Sequence, residues 1–106
     1  MARNFMDEFT LASAGKHTVK VLSFTPNTEK NFIEIELRDA ENVTFTTRLY
    51  SARIPYFMGS IARQTNGAVA GLTLKEIFKY LQHNSFDAWV SYNDYGLQVN
   101  YSAPRE

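Results

Sequence analysis

The 106-residue chain contains no cysteine. That absence removes disulfides, thiol catalysis and cysteine-based zinc or iron–sulfur sites together, and it fits a reducing compartment. Net charge is missing too: eleven basic and eleven acidic side chains cancel. No overall field draws the molecule toward nucleic acid or anionic lipid, so any anion-binding surface must be a local patch. No run of about eighteen apolar residues is present, which excludes a spanning helix of ordinary kind. Asp7 and Glu8 interrupt the N-terminal stretch where a secretory signal needs its apolar core. The expectation is a cytoplasmic protein with no membrane association. Catalytic signatures are equally scarce. Ser51, Ser60 and Thr47 lie in no nucleophile-elbow context, "GAVAG" is too short for a phosphate loop and lacks the following lysine, and no histidine stands beside the carboxylate pair Glu34 and Glu36. A non-enzymatic role without metal or cofactor is expected.

What is present is a core: 44% of the residues are hydrophobic and 14% aromatic, enough for one domain. "NFIEIELRDAENVTFTTRLY" alternates strictly. Ile33, Ile35, Leu37, Val43, Phe45, Thr47 and Leu49 share one face of a hairpin, and "DAEN" provides turn chemistry because Asp and Asn bond their own backbone. The opposite parity carries Phe32, Glu34, Glu36, Arg38, Thr44, Thr46, Arg48 and Tyr50. Before it, "HTVKVLSF" reads as a strand with broken parity: Val19 and Val21 point one way, Leu22 and Phe24 the other. A bulge or a strong bend reconciles the halves.

The period then changes to 3.6. Ile54, Phe57, Met58, Ile61 and Ala62 form one apolar helix face, with Ser51 as candidate N-cap, Pro55 in the first turn and "NG" at Asn66 and Gly67 as the stop. A flexible joint "GAVAG" leads to a second helix announced by a capping box, Thr73 with Glu76. Its apolar stripe is Leu74, Ile77, Phe78 and Leu81, which leaves Lys75, Lys79 and Gln82 for solvent. Arg53, Arg63, Lys75 and Lys79 read as ordinary polar helix faces. His17 and His83 are expected on the surface, and Trp89 packs against a helix or offers a stacking ring. "FDAWVSY", the turn "NDYG" and "LQVNY" close the chain as a hairpin.

Strand, strand, strand, helix, helix, strand, strand is the order of a mostly β protein with α: a five-stranded antiparallel OB-like barrel with two short helices between strands 3 and 4. An open antiparallel sheet with both helices on one face is the alternative. The expected organisation is an N-terminal arm over 1–14, one domain over 15–102 and a short tail over 103–106. Phe5, Met6, Phe9 and Leu11 give the arm apolar surface for packing on the barrel or on a second subunit.

Across 15–101 the elements "GKHTVKVLSF", "NFIEIELRD", "VTFTTRLY", the helical middle and "GLQVNY" resemble the small OB-fold single-stranded-DNA-binding proteins of phages and mobile elements. The resemblance implies a homo-oligomer that coats single-stranded DNA, with RNA as an open alternative, during DNA replication or recombination in the cytoplasm of a bacterial host, beside replication or recombination proteins. It implies a groove across strands two and three, bordered by the loops after strands one and four. Phe32, Arg38, Arg48 and Tyr50 fall on those strands, Lys30 in the first loop and Tyr92 and Tyr95 at the last. Two features depart from the family pattern: "YSAPRE" carries no acidic tail, and the net charge is neutral.

Sequence-neutral binding of a single strand needs rings for base faces and cations for phosphates. Phe32, Tyr50, Tyr92 or Tyr95 can supply the first, and Lys20, Lys30, Arg38 and Arg48 the second. Glu34 and Glu36 oppose this, unless they pair with Arg48 and Arg38 across the hairpin. A protein-interaction module using the same face remains the second reading, because interfaces also enrich Tyr, Phe and Arg.

Overall fold

The computed structural model describes residues 10–103. Strands β1 (Gly15–Asn27), β2 (Phe32–Asp39) and β3 (Thr44–Tyr50) are followed by a 3-10 turn (Ser51–Arg53) and helices α1 (Ile54–Gln64) and α2 (Leu74–Leu81). Strands β4 (Phe86–Asn93) and β5 (Gly96–Asn100) complete the chain. All pairings are antiparallel and the strand order is β3-β2-β1-β4-β5. The protein is mostly β with two helices, and both helices lie between β3 and β4. Among the described residues no ladder joins β3 to β5, so the sheet is open. Phe5, Met6 and Phe9 of the expected arm, and the end of the tail, lie outside the described residues. No helix among the described residues is long and apolar enough to cross a membrane.

The first strand holds the sheet together by serving two neighbours. Gly15 to Val19 pair with β4, and Val19 to Asn27 pair with β2, so only Val19 has a partner on both sides: Asp39 on one, Phe86 on the other. The expected bulge lies in this strand. Val21 stands opposite Leu37 and Ser23 opposite Glu36, which leaves Leu22 as the extra residue. Its carbonyl is not orphaned, because Gln82 Nε2 donates to it at 3.3 Å. The expectation that Gln82 faces solvent is therefore corrected; it serves the bulge.

The hairpin alternates as its sequence dictates. Ile35, Leu37, Phe45 and Leu49 are buried in the core, with Ile33 and Val43 half-buried against it. Asp39 Oδ1 accepts from the backbone N–H of Glu41 and of Val43, both at 2.9 Å, and Asn42 takes the left-handed conformation at φ +66°. The other carboxylate oxygen of Asp39 lies 3.0 Å from His17 Nδ1, while His17 Nε2–H donates to the Ser13 carbonyl at 2.6 Å. His17 is thus a half-buried clasp between β1, the β2–β3 turn and the preceding segment, and the expectation of a surface histidine is corrected; His83 is exposed.

Helix α1 presents Phe57 and Ile61 to the core, and α2 presents Ile77, Phe78 and Leu81. Ser51 is not the N-cap of α1. It opens the 3-10 turn, and Arg53 occupies the cap position without a side-chain capping bond. Asn66 in the left-handed region ends α1, with the Gly67 N–H donating to Ala62. The joint to α2 is a run of hydrogen-bonded turns that puts Val69 into the core. The capping box forms as expected: the Glu76 N–H donates to Thr73 Oγ1, and the Thr73 N–H to Glu76 Oε1. The Thr73 N–H first, and then the Thr73 hydroxyl, which also donates to Glu76 Oε1, hold the Glu76 carboxyl below its ordinary pKa.

Aromatic rings knit the layers. Phe24 on β1 stacks on Phe78 of α2 at 5.0 Å, Phe78 meets Phe57 of α1 at 5.5 Å, and Phe57 meets Tyr101 edge-on at 4.6 Å. A polar staple adds to this. The β4–β5 ladder runs only from Trp89 to Asn93, so beyond its end the outer backbone of Asp87 has no strand beside it. Gln64 fills that place. Its Nε2 donates to the carbonyls of Asp87 and Tyr101, both at 2.8 Å, and its Oε1 accepts from the Asp87 N–H at 2.6 Å.

Replacing Gln64 by Ala leaves those three half-buried backbone groups unpaired, and about 1–3 kcal/mol of stability should be lost in urea unfolding. A loss below about 0.5 kcal/mol would show that water takes over the bonds without cost. A second expectation concerns Tyr101, whose phenol is pushed up by burial from its ordinary value of 10.0. A raised acid contributes stability that is complete below pH 10 and is lost as pH rises above it. The alkaline loss of stability should therefore be shallower in Tyr101→Phe than in the parent, and identical slopes in the two proteins would contradict it.

Candidate functional site

The outer face of the opening hairpin is organised around one ring. Phe32 pairs directly with Tyr50 in the ladder, with ring centroids 5.5 Å apart, and the Arg48 guanidinium carbon lies 4.6 Å from the Phe32 ring centre. Phe32 is only 7% exposed, yet it does not belong to the main core cluster. It is covered from outside, by Arg48, Tyr50 and the β1–β2 loop, and it is not the free stacking surface that its parity suggested. Tyr50 is 48% exposed. A guanidinium held over a ring keeps N–H groups available for phosphate or carboxylate.

The arginine pairing that would have neutralised the carboxylates does not form among the described residues: Glu34 faces Arg48 in the ladder and Glu36 faces Thr46, but neither glutamate forms an ion pair with Arg48 or Arg38. Arg48 is engaged by the ring instead.

Three clefts meet at Arg48. One of about 490 Å³ lies against the β1–β2 loop and includes Lys30, Phe32 and Glu34. A second, of about 510 Å³, runs toward the β4–β5 loop and includes Tyr50, Tyr95 and Gln98. The third, of about 370 Å³, lies between β3 and β5 and reaches Arg53 and Tyr56. Together they make a groove along the open edge of the sheet, bordered by the β1–β2 and β4–β5 loops. Tyr95 stands at the second border, 92% exposed, in a turn where its N–H donates to Asn93 Oδ1 at 2.8 Å and Gly96 takes φ +99°.

The expected site residues divide. Lys30, Phe32, Arg48, Tyr50 and Tyr95 are brought to this groove. Lys20 and Arg38 are not: they face each other across the β1–β2 ladder near the β2–β3 turn and line a separate cleft of about 410 Å³ with Asn42 and Gln82. Arg38 is six residues along β2 from Phe32, about 20 Å at the rise of an extended strand. Tyr92 donates its hydroxyl to the Ala12 carbonyl and pins the segment before β1, apart from the clefts at Arg48. Trp89 is half-buried between Lys16 and Asn100 in the register.

Arg53 and Tyr56 were not anticipated. Arg53 comes from the 3-10 turn and Tyr56 from the first turn of α1, with the guanidinium carbon 5.7 Å from the ring centre. The Tyr56 hydroxyl meets Ser102 Oγ at 2.5 Å, which ties the ring to the chain after β5. The sequence signal that could have found them is their i, i+3 spacing beside the strand end that carries Tyr50.

Among the described residues no acidic side chain lines the cleft between β3 and β5, though Glu34 stands opposite Arg48 in the ladder and lines the two adjoining clefts. Among the described residues no group of three His, Asp or Glu is placed to hold a metal ion. No protein-family model matches the sequence, and no curated protein matches it either.

Arg48→Ala should cost only about 0.5–1 kcal/mol in urea unfolding, the worth of an exposed cation–π contact. A loss of several kcal/mol would assign Arg48 to holding the fold instead of to the groove.

Proposed function

We propose that this chain is a non-enzymatic single-stranded-DNA-binding protein with an OB-like fold, of the type that phages and mobile elements encode. The strand order β3-β2-β1-β4-β5, with both helices between β3 and β4, supports the OB-like part of the reading. In this reading β3 and β5 flank the binding groove where a fully closed barrel would join them. The function rests chiefly on one observation: Arg48, Tyr50 and Tyr95 share a groove that continues past Phe32 to Lys30. Exposed rings take base faces, at roughly 1–3 kcal/mol per base, and the cations take phosphates. Coating of single strands in replication or recombination, by a homo-oligomer in a bacterial cytoplasm, follows as the working role.

A protein partner is the second reading, favoured by the exposed Glu34 and Glu36 on the adjacent strand. They repel a phosphate chain laid across the middle of β2, and Glu34 also lines both clefts beside Arg48, where Arg48 and Lys30 must offset it.

The test is fluorescence anisotropy with labelled oligo-dT of about 35 nucleotides, longer than the roughly 4–16 that one OB fold covers, and a duplex of equal length as control. Binding to the single strand alone, weakening steeply as salt rises, is the expected result. No binding at micromolar protein and low salt would overturn the proposal and favour the protein partner.

A further inference from the structure

The cleft between β3 and β5 has more structure than a sequence-neutral coat needs. Leu49, Phe57 and Tyr101 lie beneath it, all buried, and the surface it presents is mostly polar. Its rim carries Tyr50 and Tyr56, 48% and 54% exposed, together with Arg48 and Arg53. The wall contributed by β4 and β5 is lined by amides, Asn93, Gln98 and Asn100. At about 370 Å³ it is a small-molecule site in size, within the usual span of roughly 300–1,000 Å³.

Each part has a distinct chemical use. The exposed rings of Tyr50 and Tyr56 accept a flat heterocycle, whereas a phosphate chain needs only cations. Carboxamides offer a donor and an acceptor side by side, the arrangement that matches the hydrogen-bonding edge of a base. Guanidinium groups at the mouth take the phosphates on either side. Among the described residues no carboxylate lines it, which disfavours a cationic ligand. Tyr56, tethered to Ser102, is held at the rim before any ligand arrives.

We infer that the cleft between β3 and β5 is a base-reading pocket: one nucleobase of the bound strand inserts there, stacks at Tyr50 or Tyr56, and is read by the amides of Gln98 and Asn100. This rests on the proposed function, but goes beyond it, because it predicts base selectivity at one position of an otherwise tolerant groove. Single strands present unstacked bases whose edges are open to such reading, which duplexes do not.

The experiment uses the full chain and labelled dT, dC and dA oligomers of equal length, titrated at fixed salt against the parent protein and a Gln98→Ala/Asn100→Ala double variant. Circular dichroism and urea midpoints establish that the variant is folded; Asn100→Ser and Gln98→Ser replace it if it is not. Amide-to-base pairs discriminate by roughly fivefold or more, so the parent should show that spread among the three oligomers, and the variant should narrow it to about twofold while still binding. Equal affinities in the parent, or a spread that survives in the variant, would refute base reading and leave the coating function standing. Failure of every oligomer to bind the parent would remove the coating function and this inference with it.

Discussion

Everything in this molecule depends on β1 belonging to two ladders at once. Its first part is committed to β4 and its second to β2, with Val19 the sole residue in both, so the strand must bend between them. Bending interrupts hydrogen bonding, and an interior backbone group without a partner is costly. Gln82, just after α2, resolves it by donating to the bulge carbonyl at Leu22, and Gln64 of α1 closes a second gap where the β4–β5 ladder ends short of Asp87. The helices are therefore more than a lid on the core. They finish the hydrogen bonding of a sheet that cannot finish it alone.

This division of labour explains what was legible in the sequence. Periodicity reports which side of a strand or helix is apolar, and it placed Ile35, Leu37, Leu49, Phe57, Ile61 and Leu81 correctly because burial on one face is what creates the period. The capping box, the Asn66–Gly67 stop and the bulge were equally readable, each being a local device with a local cause. Gln64, Gln82 and His17 were not. Their partners lie at Asp87, Leu22 and Asp39, far away in the chain, and a polar side chain looks the same in sequence whether it meets water or a distant carbonyl.

The groove shows the same limit from another side. Alternation put Phe32 on the outer face, where it is, but could not reveal that Arg48 and Tyr50 cover it. It also grouped Arg38 with Arg48 by parity, although strand direction separates them by most of the hairpin's length. Arg53 and Tyr56 join Tyr50 only because the chain turns sharply after β3 and starts a helix at the open edge. A site of this kind is assembled by topology, and its members share no sequence pattern.

The open edges themselves have a cost. A sheet with free flanks is a template for other strands, including those of identical molecules. Here β5 is only five residues long, β3 carries Arg48 with Arg53 just beyond its end, and the two flanks look across one cleft toward each other instead of outward. Shortness, positive charge and mutual shielding are the means by which native sheets resist stacking edge to edge. The cleft proposed to take a base thus also guards against edge-to-edge stacking of sheets, and filling it and protecting it would become one event.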